Sequence, residues 1–251
     1  LTVEKRGGFS IVNLKSPIPM TEVLRWLSQT LSDIPQDDSW LSEAERSVLA
    51  GLRFPKRRGD WKLGRWTAKR AICACQMKDS TAFSNLEIRA AKDGAPEVFW
   101  DNTPAKISIS ISHSREKSFC VVGPYGCGSG CDLEWIEPRE ESFPGDYFRP
   151  EEISYLQQAP AEQALLANLI WSAKETVLKI LRQGLRRDTR SVSIHLDLPG
   201  REGAWNAWTG RCLESASVFY GWWRSREGYI YTAASDRITS APEQLLVTDS
   251  E

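Results

Sequence analysis

Apolar side chains recur at three- and four-residue steps along one stretch late in the chain. Leu166, Leu169, Ile170, Ala173, Val177 and Ile180 fall on one stripe, which predicts a long helix from Ala161 to Arg182. Gly184 is the expected C′ residue that ends it. Arg182, Arg186, Arg187 and Arg190 crowd that end, where cations suit the helix dipole. Trp171, Glu175 and Lys179 are spaced four apart and stack on the opposite side. A face meant only for water would not carry a Trp, so the helix is expected to pack on both flanks. Glu175 and Lys179 then have two readings. They are a solvated surface pair worth about 0.3–0.5 kcal/mol, or a carboxylate and an ammonium held in a partly enclosed place.

The rest of the chain alternates between helical and strand patterns. Phe9 to Leu14 reads as a short strand, and Thr21 to Leu31 as a helix carried by Val23, Leu24, Trp26, Leu27 and Leu31. Leu41 to Glu45 opens another helix, with Ser42 as N-cap and Glu45 three residues on, the spacing of a capping box. Asp93-Gly94-Ala95-Pro96 is a turn before the short strand Val98 to Trp100. Ile107 to Ser112 alternates Ile and Ser strictly, a strand with its isoleucines toward the core, and runs into His113-Ser114. Ser118 to Val122 is the next strand. Gly123 to Gly130 is a Gly-rich bend that lacks the Gly-Lys-Ser/Thr ending of a Walker A loop. The strand from Gly130 to Glu137 follows it, and then a helix starts at Phe148 and ends near Gln157. After the long helix come four strands: Ser191 to Leu196, Ala204 to Thr209, Ser217 to Trp223 and Gly228 to Ala233. The polar tail from Ser235 onward is expected to fray.

Composition narrows the function classes. A chain of 251 residues with a net charge of -1 can bury a large core and is not a wholesale polyanion binder. Eleven Trp suit a well-packed interior. No apolar run reaches the ~18–20 residues that span a bilayer, and Leu1 to Ser10 hold no apolar core of signal-peptide length. The chain begins without Met, so the numbering is expected to start at a trimmed or processed end. The six cysteines lack the two-residue spacing of zinc knuckles, and His113 and His195 are the two histidines. Free thiols in a reducing cytoplasm are the simpler expectation.

Two stretches carry candidate chemistry. Arg53 to Arg70 holds eight Lys or Arg in eighteen residues. It is either a solvated helix start or an anion site, since cations at a helix N-terminus oppose the dipole unless an anion is present. Asp132 and Glu134 are two apart on a strand, so both point to one face while Leu133 and Trp135 take the other. They are two exposed acids at a strand end, or two oxygen ligands for a hard divalent cation.

The chain also echoes itself. Trp66-Thr67-Ala68-Lys69 resembles Trp171-Ser172-Ala173-Lys174, and Leu41 to Glu45 resembles Phe148 to Glu152, in the same order and roughly 105 residues apart. This predicts two similar α+β halves, residues 1–125 and 126–251, forming one compact unit with a ligand cleft between them.

Three motifs now stand in order: Ser112-His113-Ser114, Gly130-Cys131-Asp132-Leu133-Glu134, and Trp171-Ser172-Ala173-Lys174-Glu175 with Lys179. Together with Lys56-Arg57-Arg58 and Gly64-Arg65, they resemble the surfactin-type 4′-phosphopantetheinyl transferases over roughly residues 40 to 195. The resemblance implies an α+β pseudo-dimer with its active site between two subdomains. It implies transfer of the phosphopantetheine arm of coenzyme A to a serine of an apo acyl or peptidyl carrier protein, releasing adenosine 3′,5′-bisphosphate. It implies Asp132, Glu134 and Glu175 as Mg2+ ligands, with Glu175 also activating the carrier serine. Lys179 would sit beside the diphosphate, and Arg57, Arg65, Ser112 and His113 would hold the coenzyme A phosphates. A cytoplasmic monomer that binds neither nucleic acid nor membrane is expected. Many members carry a Gly-Lys-Pro turn whose lysine helps hold coenzyme A. Here the turn is Gly94-Ala95-Pro96, so that contact is missing or comes from Lys92. A non-catalytic binding module on the same fold is the alternative. A nucleotide-dependent kinase lacks its Gly-rich phosphate loop.

Overall fold

The computed structural model describes residues 22–78 and 80–247. The expected strand at Phe9 to Leu14 lies outside the described residues. The chain folds as mixed α and β. In order come β1 (Arg25–Thr30), α1 (Glu43–Gly51), α2 (Pro55–Gln76), β2 (Leu86–Ala90), β3 (Pro96–Trp100), β4 (Thr103–Pro104), β5 (Ser108–Ser114), β6 (Lys117–Gly123) and β7 (Ser129–Trp135). They are followed by α3 (Phe143–Tyr147), α4 (Pro150–Gln158), α5 (Gln163–Ile180), β8 (Val192–Leu196), β9 (Asn206–Cys212), β10 (Val218–Arg226), β11 (Tyr229–Ser235) and β12 (Glu243–Gln244).

The strands form a four-stranded sheet ordered β12-β1-β6-β5, a five-stranded sheet ordered β7-β11-β10-β9-β8, and a three-stranded β2-β3-β4 sheet. Helix α2 covers one face of the first sheet through a core that includes Leu27, Ile72, Ile109 and Cys120. Helix α5 covers one face of the second through Leu166, Ile170, Val177, Trp208 and Phe219. The remaining faces pack on each other through Leu24, Trp26, Phe119, Val121, Leu133 and Tyr231.

The helix expected over residues 21–31 does not form in the described residues 22–31. Arg25–Thr30 is a strand, antiparallel to β6 with Trp26 opposite Val121. It lies between two cores, with Leu24 and Trp26 on one face and Leu27 on the other. A strand buried on both faces loses its alternation, and its apolar positions then satisfy the helical template as well. The described part of the tail, through residue 247, does not fray as expected. Glu243 pairs in parallel with Arg25, and the Leu245 N–H reaches the Trp26 carbonyl at 2.8 Å. Leu245 is buried in the α2 core. The isoleucines of β5 do face α2, but Ser110 and Ser112 are equally buried. They turn toward β7, where Ser110 Oγ accepts the Cys131 N–H at 3.0 Å. The polar face of this strand is a seam with the second sheet and not a solvent face.

Leu181 is the C-cap of helix α5, and Arg182 takes the C′ position expected for Gly184, with φ of 55°. The Gln183 N–H bonds to the Leu178 carbonyl and the Arg182 N–H to the Lys179 carbonyl, closing a Schellman motif. A left-handed backbone at a residue with a Cβ costs about 1–2 kcal/mol.

Two buried lysines anchor the helices in the same way. Lys69 on α2 pairs with Glu45 and donates to the carbonyls of Trp40 and Phe83. Glu45 caps α1 by accepting the Ser42 N–H and also accepts the Ile88 N–H of β2. Lys174 on α5 pairs with Glu152 and donates to the carbonyls of Thr189 and Val192. Glu152 accepts the Arg149 N–H at the start of α4 and the Ile194 N–H of β8. Both lysine side chains are 0% exposed, so these ions survive in the interior because every strong donor and acceptor is met. Burial still pushes Lys174 down and Glu152 up, each against the pull of the other.

Candidate active site

The site forms where β7 of the second sheet lies between β5 and α5. Glycines permit this approach. A Cβ on Gly130 would stand 2.3 Å from the Thr176 carbonyl oxygen, and one on Gly128 would stand 2.8 Å from Ile180. The Gly-rich run before the acidic strand therefore serves close helix-on-strand packing.

Asp132 is 2% exposed and is met from three sides. Its Oδ1 accepts Ser112 Oγ at 2.7 Å and Lys179 Nζ at 2.7 Å, and its Oδ2 accepts Ser172 Oγ at 2.8 Å. Ser172 in turn meets Thr232 on β11, which also meets Thr176, so α5 is tied to the sheet by a hydroxyl relay. Lys179 also donates to the Cys131 carbonyl at 2.9 Å. Glu134 lies two residues along the same face, held by Trp171 Nε1 at 3.0 Å and by Arg139 at 3.0 Å. Arg139 is itself anchored on Asn168 of α5. Trp171 packs against Phe143 and Tyr147 of α3.

Glu175 lies one helical turn before Lys179, near enough to Asp132 and Glu134 for both to raise its pKa. Carboxyl groups crowded in one place need a proton or a cation among them. Burial, then Asp132, pushes Glu175 up to about 8 against the opposing pull of Lys179. Burial and Asp132 likewise raise Glu134 to about 7, although Arg139 and Trp171 oppose them. Lys179 is raised, since Asp132 and Glu175 outweigh its own desolvation. The cluster thus holds three carboxyls against two cations, an oxygen-donor set short of positive charge. That chemistry fits a hard divalent cation. Among the described residues, no three His, Cys, Asp or Glu side chains already stand in ligating positions. Lys179 occupies Asp132, and Arg139 with Trp171 occupies Glu134. Cys127 and Cys131 are held up to about 11 by burial and stay as thiols near neutral pH.

A cleft of about 700 Å³ opens beside the cluster, with Lys179 in its wall. Ser108 and Ser110 of β5 line it, together with the turn from Asp93 to Glu97, Tyr125 and Arg182. Residues 128–229 match the sequence model of the 4′-phosphopantetheinyl transferase superfamily. No curated protein matches the chain. The matched segment holds Asp132, Glu134, Glu175 and Lys179.

The structure therefore gathers five of the expected site residues: Asp132, Glu134, Glu175, Lys179 and Ser112. The reading of Glu175 and Lys179 as a solvated pair does not hold, since Lys179 turns across to Asp132. His113 follows Ser112 at the end of β5, exposed, and does not line the cleft. Arg57 is exposed on the first turn of α2. Arg65 lies two turns on, half-buried over the Trp61 ring at 4.9 Å, and its Nε has no hydrogen-bond partner among the described residues. Desolvation lowers its pKa although Glu45 opposes. Neither arginine lines the cleft. Lys92 is exposed on its turn and does not line it either. In the sequence Arg182 stood only as a helix-end cation and Ser172 only as part of the helix motif, and Arg139 was not singled out. Ser172 could have been found from its place one turn before Glu175, on a helix flank facing the strand.

Proposed function

We propose that this chain is a surfactin-type 4′-phosphopantetheinyl transferase. It moves the phosphopantetheine arm of coenzyme A onto a serine of an apo acyl or peptidyl carrier protein. The observation that carries this reading is Lys179, bonded across to Asp132 Oδ1 and standing in the wall of the adjoining cleft, with Glu175 one helical turn before it. The superfamily match over residues 128–229 supports it.

In the reaction, the carrier serine oxygen attacks the phosphorus that bears the pantetheine arm. The bond from that phosphorus to the bridging diphosphate oxygen breaks, and adenosine 3′,5′-bisphosphate leaves. Asp132, Glu134 and Glu175 would hold Mg2+, which would supply positive charge for the diphosphate and the leaving group. Glu175 takes the serine proton, directly or through a water, and is placed to do so on a rigid helix. Lys179 presents an ammonium to the diphosphate at the wall of the cleft. Ser112 and Ser172 orient Asp132. Ser112 and His113 at the end of β5, with Arg57 and Arg65 on α2, bind coenzyme A phosphates. The buried Nε of Arg65 is a donor in want of an acceptor.

The active protein is a monomer of two related halves, divided near residue 125, and works in the cytoplasm. The matching Lys69–Glu45 and Lys174–Glu152 anchors support a pseudo-two-fold relation. The test is incubation with coenzyme A, Mg2+ and a panel of apo fatty acid, polyketide and nonribosomal peptide carriers, followed by intact mass. The expected result is a gain of one phosphopantetheine group on at least one carrier. No gain on any carrier would overturn the reading, and coenzyme A binding without transfer would point to a binding module.

A further inference from the structure

The cleft is closed on one side by a bridge that the reaction does not use. Arg182 reaches from the end of α5 to the turn before β3. Its Nε donates to Asp93 Oδ2 at 2.7 Å, while one terminal nitrogen donates to Asp93 Oδ1 at 3.2 Å and to Glu97 Oε1 at 2.8 Å. Arg186 adds a bond to the Asp93 carbonyl at 2.9 Å. The Asp93 carboxylate also accepts the Ala95 N–H at 3.0 Å, so the guanidinium grips the residue that shapes the turn.

Several features set this bridge apart from an ordinary surface pair. It is a fork on a carboxylate with a second acid attached, the geometry in which an exposed Arg pair holds its place. It joins segments far apart in the chain. The left-handed backbone of Arg182 aims the side chain across the cleft from a position where glycine would be unstrained. Arg182, Asp93 and Glu97 all line the cleft, as does Lys179 one turn before. At the same turn, Ala95 stands where the resemblance implies a lysine, and Lys92 does not line the cleft. Proximity to Arg182 also holds the Asp93 carboxyl below its ordinary range.

We infer that Arg182 is a positioning residue that clamps the 93–97 turn onto the end of α5 and so fixes the wall of the cleft against which coenzyme A binds. The inference rests on the proposed transferase reading for its ligand, but the clamp itself is a property of the free chain. Arg182 acts through the turn, so it governs co-substrate binding and not the transfer step.

Three variants test it: Arg182→Gly, which keeps the helix end without strain, Arg182→Lys, which keeps charge without the fork, and the pair Asp93→Asn with Glu97→Gln. Amide hydrogen exchange of residues 91–98 is measured on the free chain, alongside the Kd and KM for coenzyme A and kcat. Arg182→Gly is expected to speed exchange in that turn and to raise Kd and KM about tenfold with kcat within about twofold. The acid pair should copy it, with no further loss when combined, and Arg182→Lys should recover part of the binding. Unchanged exchange would overturn the clamp. A fall in kcat at constant KM would overturn the positioning role. If the wild-type chain neither binds coenzyme A nor transfers, the transferase reading and the ligand named here fall, and the exchange result still decides whether the clamp exists.

Discussion

Lys179 donates to Asp132 Oδ1 at 2.7 Å, across the gap between α5 and β7, rather than forming a solvated pair with Glu175 on its own helix. That one bond turns a surface motif into a site. It brings the ammonium to the oxygen that Ser112 also holds, and Glu175 forms no ion pair among the described residues.

Replacing Glu175 by Gln keeps its shape and removes its charge. Transfer is expected to fall by about 10²–10⁴-fold, the range of a lost general base. Circular dichroism should stay native. Activity at the wild-type level, measured by carrier mass, would remove Glu175 from the chemistry.

The cluster gives the metal-free chain a pH dependence. Glu134 and Glu175 are raised from 4.5 to about 7 and about 8, burial first and Asp132 second. Groups raised on folding contribute stability that is fully present below pH 4.5 and is lost as pH rises through 7 and 8. The loss is on the order of a few kcal/mol. Urea unfolding in chelator at pH 5 and pH 8.5 should show it, and Glu175→Gln should reduce the difference. Equal stability for wild type at both pH values would contradict the enclosed, charge-poor site described above. Mg2+ added at pH 8.5 should restore stability.

Gly130 is the contact point of α5 on β7. Gly130→Ala would set a methyl group 2.3 Å from the Thr176 carbonyl oxygen, which is backbone and yields only if the helix shifts. A loss of about 1–3 kcal/mol is expected, together with a drop in transfer larger than the stability change explains, because Asp132 moves away from Ser172 and Lys179. A crystal structure of a folded Gly130→Ala chain with these bonds intact would count against it.

The buried anchors should respond to partial removal more than to full replacement. Lys174→Ala leaves Glu152 buried with no counter-ion and is expected to cost about 3–5 kcal/mol. Lys174→Met with Glu152→Gln, which removes both charges, should recover much of it. Lys69→Ala should cost a similar amount through Glu45. Denaturant midpoints at constant m-value provide the measure. A loss under 1 kcal/mol for both single variants would mean that the pairs are not the anchors described.

Spacing and periodicity alone placed the long helix, the paired carboxylates of β7 and the Ser112 end of β5, because these depend only on the 3.6 and 2.0 repeats of the backbone. The capping box at Ser42 and Glu45 came from the same local rules. Periodicity failed where burial on both faces erased it, at Arg25–Thr30, and where a tail of polar residues found an edge strand to pair with, at Glu243–Gln244. Local preference also named the wrong residue for the end of α5, since glycine is favoured there and yet Arg182 takes the strained position and makes three long-range bonds from it.

Glu175 and Lys179 are found together by their spacing on one helix, but their neighbours are not. Whether the pair meets water or a second carboxylate depends on how close α5 can come to β7, and that is set by two glycines and a row of hydroxyls on β5, α5 and β11. Charge in a protein takes its meaning from what surrounds it, and those surroundings are long-range contacts that no local repeat encodes. Residue types along the chain were enough to nominate the chemistry. Only the packing of α5 against the seam of β5 and β7 decided that Asp132 would be buried, that Lys179 would cross to it, and that Glu175 would be enclosed beside them.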